Sequence, residues 1–203
     1  MKVYNFSPGP AKLDSSIISK SQQAMYNFQN TGLSILEIGH RSKEFEKLMN
    51  SLQENIRNIF NVPTNYFTLF LQGGATFQNT FIANNFDMRD KDLGCLVTGT
   101  WGKSTFDDFS KIRETKLIEL SQDEIENFVE SGEDLKNVDY LHLTSNETIN
   151  GVQLREFNKI NHDSLLIDMS SDIGSYRFEW DNIAYIYAGA QKNMGIPGVS
   201  ICI

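Results

Sequence analysis

Residues 66–86 read YFTLFLQGGATFQNTFIANNF, a β-rich run followed by two glycines and then a stretch of helical character. The run 66–72 predicts a strand that ends at Gly73 and Gly74, and 75–86 predicts the helix that follows. The same alternation continues along the chain. Further short β-rich runs are 93–99, 116–120, 138–144, 164–170, 182–190 and 198–203. Strands that alternate with helices imply βαβ units and a parallel sheet.

Helical stretches lie before and between these runs. Residues 42–60 place apolar side chains at helical spacing, with Ser42 as the expected N-cap and Pro63 as the expected stop. Residues 101–112 predict another helix, and SQDE at 121–124 has the form of a capping box. We therefore predict an α/β fold, a three-layer α/β/α domain with a mostly parallel mixed sheet. In such sheets, ligands bind outside the carboxyl ends of the strands.

The composition is that of an ordinary globular chain. Of 203 residues, 40% are hydrophobic and 22% are charged, and no repeat or linker interrupts them. We expect a single domain over 1–203, with residues 1–15 as an extended N-terminal segment. The 26 acidic and 18 basic side chains give a net charge of −8, which argues against nucleic-acid binding. Neither a membrane span nor a signal peptide is evident, so we expect a cytoplasmic protein without a membrane partner.

The two cysteines, Cys95 and Cys202, each lie in a short apolar run. This setting favours buried free thiols over a disulfide or a metal pair. With only three scattered histidines beside them, the sequence offers a poor zinc site, and no metal is expected.

Two strand ends carry residues suited to catalysis. In AYIYAGAQKNMGIPG (184–198), Lys192 follows a buried apolar strand and is surrounded by small residues. Partial desolvation lowers a lysine's pKa and makes its amine a candidate nucleophile, although many strand-end lysines are simply exposed. In LLIDMSSDIGS (165–175), Asp168 ends another strand, where it could cap a helix, bind a metal or accept a hydrogen bond from a protonated ring nitrogen.

Two further turns could hold a ligand. The Gly73–Gly74 turn before a helix offers free backbone N–H groups that suit a phosphate, but it matches neither GxGxxG nor a P-loop. Trp101 follows a strand between Gly99 and Gly102, where it could stack on a ring or pack in the core.

Polar residues in two other segments are further candidates for ligand binding. Asn146 and Thr148 lie in the turn LTSNETINGV, where ordinary turn chemistry is the alternative to ligand binding. Arg41, beside His40, precedes a helix and could bind a carboxylate or form a surface salt bridge. A Schiff-base lysine, a partner for a ring nitrogen, a phosphate cradle, a stacking ring and a carboxylate fork are together what pyridoxal 5′-phosphate (PLP) chemistry requires.

Several motifs of this chain resemble the phosphoserine aminotransferase family, which belongs to the class-V, fold-type I PLP enzymes. They are NFSPGPAKL, GLSILEIGHRSKEF, LFLQGGAT, SNETINGV, the Asp168 segment and YAGAQKNMGIPG. They occur in the family's order and at close to its spacing, over the whole chain.

The resemblance implies roles for the matching residues at the ring of the cofactor. Lys192 would form the covalent link to PLP and act in proton transfer. Asp168 would keep the pyridine nitrogen protonated, and Trp101 would stack on the ring. Thr148 would donate a hydrogen bond to the phenolic oxygen.

It also implies contacts with the charged groups of cofactor and substrate. Ala75, Thr76 and Gln191 would bind the cofactor phosphate, and Arg41 with His40 would bind the carboxylate of the substrate. Many family members carry another glycine and an arginine in the turn where this chain has Ala75 and Thr76. A phosphate contact from that arginine is absent here.

The implied activity is that of a transaminase in serine biosynthesis. L-Glutamate and 3-phosphohydroxypyruvate would be the small-molecule substrates, giving 2-oxoglutarate and O-phospho-L-serine, in a homodimer. The chain stops at Ile203, within a predicted strand, whereas family members continue. The resemblance thus implies that only the large domain is present and that the small C-terminal domain is missing.

Two other interpretations compete with this one. A truncated, non-catalytic remnant would still bind PLP or dimerise without turning over substrate. A dinucleotide-binding oxidoreductase would need a glycine-rich fingerprint after the first strand, and the sequence has none.

Overall fold

The structure, a computed structural model, describes residues 3–85, 91–131, 135 and 137–203. Its chain divides into two compact units, Met1–Pro63 and Thr64–Ile203. The expected single domain over 1–203 stays a prediction, and residues 1–2 of its N-terminal segment lie outside the described residues.

The first unit begins with helix α1 (Ser15–Tyr26), which the sequence patterns did not predict. Asp14 caps it, because its carboxylate accepts a hydrogen bond from the backbone N–H of Ser16. None of the residues of α1 is buried, so its sequence lacks the apolar stripe from which an amphipathic helix is predicted. Two short 3₁₀ turns follow, Phe28–Asn30 and Ile35–Glu37.

Helix α2 (Lys43–Phe60) completes the first unit. Ser42 is its N-cap as predicted, with the hydroxyl oxygen accepting from the N–H of Phe45 at 3.2 Å. The helix ends at Phe60, as predicted, ahead of Pro63. Its C-cap residue, Asn61, adopts a left-handed conformation, φ 50°, two residues before the proline.

The second unit alternates strands and helices as the sequence predicts. Its strands are β1 (Leu69–Leu71), β2 (Leu93–Val97), β3 (Lys116–Glu119), β4 (Tyr140–Thr144), β5 (Asn146–Glu147), β6 (Val152–Gln153), β7 (Leu165–Asp168), β8 (Ile183–Gly189) and β9 (Ser200–Cys202). Its helices are α3 (Gly74–Asn85), α4 (Thr100–Ser110) and α5 (Ile125–Ser131), with 3₁₀ turns at Gln122–Glu124 and Phe157–Lys159. Residue 86, the end of the predicted 75–86 helix, lies outside the described residues.

Seven strands form one mixed sheet in the order β1-β9-β8-β7-β4-β2-β3. Strands β8, β7, β4, β2 and β3 pair in parallel, whereas β9 is antiparallel to both of its neighbours. Strand β1 therefore runs in the same direction as β8, and six carboxyl ends lie at one edge. This confirms the predicted α/β class and mostly parallel sheet. The two-stranded β5–β6 hairpin was not predicted.

A hydrophobic core lies between the sheet and the helices α3 and α4. Ile82 of α3 and Phe109 of α4 are fully buried, and they pack with residues of β2, β7, β8 and β9. Both cysteines are buried free thiols in this core, as expected. All five residues of β2 are buried, which is typical of a central parallel strand.

Across the described ranges, no helix combines the length and the apolar character that crossing a membrane requires.

The hydrogen bond between the Ser42 hydroxyl and the N–H of Phe45 predicts a measurable contribution of this cap to the stability of α2. We expect Ser42→Ala to lower the free energy of unfolding by about 1 kcal/mol, because the N–H of Phe45 loses its acceptor. Urea titration followed by circular dichroism measures the change. The matched control is Ser51→Ala at an exposed position within α2, where alanine is the better helix former. Equal shifts in both variants would show that the cap contributes nothing.

Candidate active site at the carboxyl ends of the strands

A cavity of about 310 Å³ opens at the carboxyl edge of the sheet in the second unit. The structure brings six sequence-predicted site residues to its wall: Ala75, Thr76, Trp101, Asp168, Gln191 and Lys192. Eight other residues complete the lining, namely Gly74, Asn79, Ser104, Thr105, Thr144, Asn146, Ser170 and Ser171. The edge at which ligands were expected therefore holds a cavity, while the roles of these residues stay predictions.

The sheet register explains why these residues meet. Ser200 of β9 is paired with Leu71 at the end of β1 and with Gly189 at the end of β8. The turn that starts α3 and the turn that carries Lys192 therefore begin at the same height along the strand direction. On the other side of β8, Asp168 at the end of β7 is paired with Tyr187.

Helix α3 faces the cavity with its N-terminus. Gly73 and Gly74 have φ values of +96° and +71°, a left-handed conformation that suits glycine and turns β1 sharply into the helix. The N–H groups of Gly74, Ala75 and Thr76 have no partner within the helix, because the first turn lacks preceding carbonyls. A helix start of this kind binds anions such as phosphate.

Asp168 is the acid of the cavity. Burial raises its pKa, while hydrogen bonds from Ser170 and the positive charge of Lys192 lower it in part. The backbone N–H of Ser170 donates to the Asp168 carboxylate at 2.8 Å and fixes its orientation. A cationic group in the cavity would favour the ionised carboxylate.

Lys192 and Trp101 lie on the cavity wall close to each other. The Lys192 Nζ lies 5.7 Å from the centroid of the Trp101 ring, within the range of a cation–π contact. The Trp101 indole N–H donates to the hydroxyl of Thr148 at 2.9 Å. Thr148 is therefore linked to the cavity through Trp101, although its side chain does not form part of the lining.

The turn after β8 is tightly built around Gln191 and Lys192. The N–H groups of Met194 and Gly195 donate to the carbonyl of Ala190 at 3.0 and 2.8 Å, which closes the turn. A Cβ on Gly189 would lie 2.6 Å from the side-chain oxygen of Gln191. The glycine therefore leaves the space that the Gln191 amide occupies.

The two predicted carboxylate ligands, His40 and Arg41, belong to the first unit. Both precede α2, and their predicted contact with a substrate stays a prediction.

Sequence reasoning did not single out six polar residues of the lining. Asn79 lies one helical turn after Ala75 and Thr76, and Ser104 and Thr105 lie one turn after Trp101. The helical spacing of three and four residues could have identified them. Thr144, Ser170 and Ser171 lie at or just after strand ends, and only the strand register reveals that they face the same cavity.

A chain of buried hydrogen bonds runs from Asn79 into the core. Tyr187 donates to Asn79 at 3.1 Å, and the Nε2 of His142 lies 2.9 Å from the Tyr187 hydroxyl. Since Tyr187 uses its proton toward Asn79, His142 donates from Nε2, and its Nδ1 faces Cys95 at 3.8 Å. Burial lowers the pKa of His142 to about 3. Asn79 also donates to Asp108 of α4, so the chain joins both helices to the sheet.

Comparison with known proteins identifies the family. Residues 3–203 match the family described as aminotransferase class-V. The chain belongs to this family. The phosphoserine aminotransferase of Geobacillus kaustophilus is 40% identical over 206 residues, covering 100% of this chain and 57% of that protein.

Solved structures of phosphoserine aminotransferases resemble this chain over nearly its whole length. The phosphoserine aminotransferase of Bacillus circulans subsp. alkalophilus is 36% identical and superposes with a TM-score of 0.87, over 99% of this chain and 56% of that one. A PLP-bound phosphoserine aminotransferase of Trichomonas vaginalis is 30% identical with a TM-score of 0.83, over 99% and 61%. The chain thus spans somewhat more than half the length of the relatives it matches.

The buried state of His142 predicts a pH dependence of stability. The pKa of His142 is near 6.5 in the unfolded chain and about 3 in the folded chain. Protons therefore bind the unfolded chain preferentially below pH 6.5, and stability falls as the pH drops toward 3. Between pH 7.5 and pH 5 we expect His142 to account for a loss of about 2 kcal/mol.

Urea titrations at the two pH values measure this loss in the wild type and in His142→Gln, which should lose less. Burial raises the pKa of Asp168, so its protonation at low pH stabilises the folded chain, which is opposite to the effect of His142. This contribution is the same in the wild type and in the variant, so it cancels when the two pH dependences are compared. His162→Gln, at a half-buried site, is the control. An unchanged pH dependence in His142→Gln would contradict the assignment.

Proposed function

We propose that this protein is a PLP-dependent transaminase of the phosphoserine aminotransferase type. One observation carries the proposal. The cavity collects a lysine, a partly buried carboxylate, the start of a helix and an indole ring, contributed by the ends of different strands. This combination suits a cofactor that has an aldehyde, a ring nitrogen and a phosphate.

The names of the relatives support the same activity. Proteins that match the whole chain at 35–40% identity are named phosphoserine aminotransferase. One solved relative is described as PLP bound, and the description of another names a Schiff base. The present chain spans only part of each, so the activity of the whole protein is inferred from them.

The donor set fits PLP group by group. The free N–H groups of Gly74, Ala75 and Thr76, with the amide of Gln191, suit the phosphate. The carboxylate of Asp168 suits a protonated ring nitrogen, since burial strengthens its attraction to a cation. When bound, PLP supplies an electron sink and carries the amino group between two substrates.

Each of the other side chains of the cavity would have a separate role in binding or catalysis. Lys192 would hold the cofactor through Nζ and, when released, would move a proton at the α-carbon of the substrate. Asp168, oriented by Ser170, would keep the ring nitrogen protonated. Trp101 would cover one ring face, and Thr148 would support it through the indole hydrogen bond.

The proposed reaction takes the amino group from L-glutamate and gives it to 3-phosphohydroxypyruvate, which yields O-phospho-L-serine and 2-oxoglutarate. Arg41 and His40 are proposed to bind the substrate carboxylate. We further propose that residues 1–203 form one cofactor-binding large domain, in a homodimer located in the cytoplasm. These finer points rest on the resemblance of the sequence to the family.

A trapping experiment tests the cofactor assignment. The chain is incubated with PLP, reduced with borohydride and digested, and the modified peptide is identified by mass spectrometry. We expect a pyridoxyl group on Lys192 and none in Lys192→Ala. Lys103→Ala, which removes an exposed lysine of α4, should keep the adduct. An adduct spread over surface lysines, or absent, would overturn the proposal.

Addition of glutamate to the loaded protein tests the activity. We expect the absorbance band of the bound aldehyde to convert to that of the amine form, and 3-phosphohydroxypyruvate to reverse the change. A chain that binds PLP at Lys192 but shows no conversion would instead be the non-catalytic alternative.

A further inference from the structure

Helix α4 is capped by a residue that is distant in the sequence. The N-cap position is Gly99, which offers no side-chain acceptor. The carboxylate of Glu147 takes its place, accepting from the N–H of Trp101 at 2.8 Å and from the N–H of Gly102 at 2.6 Å. Glu147 is fully buried, so these bonds replace the water that its charge has lost.

The residues after Glu147 contact the same turn of α4. Asn150 accepts from the N–H of Thr100 at 2.9 Å and from its hydroxyl at 3.0 Å. Thr148 accepts from the indole N–H of Trp101. The backbone and the ring of Trp101 are therefore both bound by the segment 147–150.

Close approach of this segment requires glycine on either side of Trp101. A Cβ on Gly99 would lie 2.7 Å from the Asn150 side-chain oxygen and 2.8 Å from the Glu147 carboxyl carbon. A Cβ on Gly102 would lie 3.1 Å from a Glu147 carboxylate oxygen. The sequence GTWG thus has a structural reason that is independent of any ligand.

The orientation of Trp101 depends on these bonds. Its side chain is 43% exposed, so packing alone does not hold it. The positive end of the α4 dipole and two N–H donors attract the Glu147 carboxylate and keep the first turn fixed. The ring is then held 5.7 Å from the Lys192 amine, on the cavity wall.

We propose that Glu147 is a positioning residue that fixes Trp101 against the cavity. Its action on the helix stands on the geometry alone, whereas its effect on a bound cofactor rests on the proposed function. Replacement of the carboxylate by an amide sets an NH₂ group against a backbone N–H. The ring of Trp101 then loses its fixed direction, and a planar ligand beside it is bound less tightly.

The first experiment uses the cofactor-free chain. The sequence has two tryptophans, Trp101 and Trp180, so Trp180→Phe leaves Trp101 as the single emitter. In this background we expect Glu147→Gln to raise acrylamide quenching of Trp101 about twofold or more and to lower its fluorescence anisotropy, because a charge-assisted cap has been lost. The control is Glu156→Gln, which removes the same charge from an exposed side chain.

A conservative variant guards against loss of the fold. Glu147→Asp keeps the charge but is one methylene shorter, so it reaches the two N–H groups less well. We expect its quenching to lie between the wild type and Glu147→Gln. If circular dichroism shows that the amide variant is unfolded, the aspartate variant decides. Quenching and anisotropy equal to those of the Glu156→Gln control would overturn the proposal.

The second experiment measures PLP affinity from the quenching of Trp101 by the cofactor. We expect Glu147→Gln to weaken binding by about fivefold to tenfold, and Glu156→Gln to leave it unchanged. If the wild type binds no PLP, the proposed function fails, while the acrylamide result still decides the role of Glu147. If PLP binds equally to both variants, Glu147 does not position the ring for the cofactor.

Discussion

The cavity depends on one constraint of the sheet, the reversed strand β9 between β1 and β8. Ser200 pairs with the last residue of β1 on one side and with the last residue of β8 on the other. The turn that offers the α3 N–H groups and the turn that carries Lys192 are therefore level. With any other register, the anion-binding helix start and the amine would lie at different heights, and one small ligand could not contact both.

Much of this architecture follows from local sequence. Central strands such as Leu93–Val97 are buried throughout, so they appear as unbroken apolar runs, and the turns after them carry the small and polar residues. Strand ends were harder to predict. The run 66–72 forms a strand only at Leu69–Leu71, because pairing with β9 decides which part of an apolar run joins the sheet. Phe67, in the same run, is 81% exposed.

Long-range contacts account for what the sequence did not predict. The acid that caps α4 lies 46 positions after Trp101 in the first turn of that helix, in a polar stretch that has the composition of a surface turn. Asp168 and Lys192 stood out because each follows an apolar strand, whereas the hydrogen-bonded series His142–Tyr187–Asn79 depends on three separate elements meeting. Contacts between residues that are far apart in the sequence do not produce the helical or strand spacing of apolar residues from which secondary structure is predicted.

The position of β9 also has a consequence for the order in which the chain folds during synthesis. Among the described residues, β1 joins the sheet through β9 alone, and β9 comprises Ser200–Cys202. As the ribosome releases the chain from its N-terminus, β1 and the start of α3 wait for some 130 further residues before their neighbour emerges. The parallel strands β2, β4, β7 and β8 can assemble earlier. Closure of the ligand cavity is therefore a late event. Until then β1 is unpaired and β8 is an open edge, and both are available to chaperones or to mispairing.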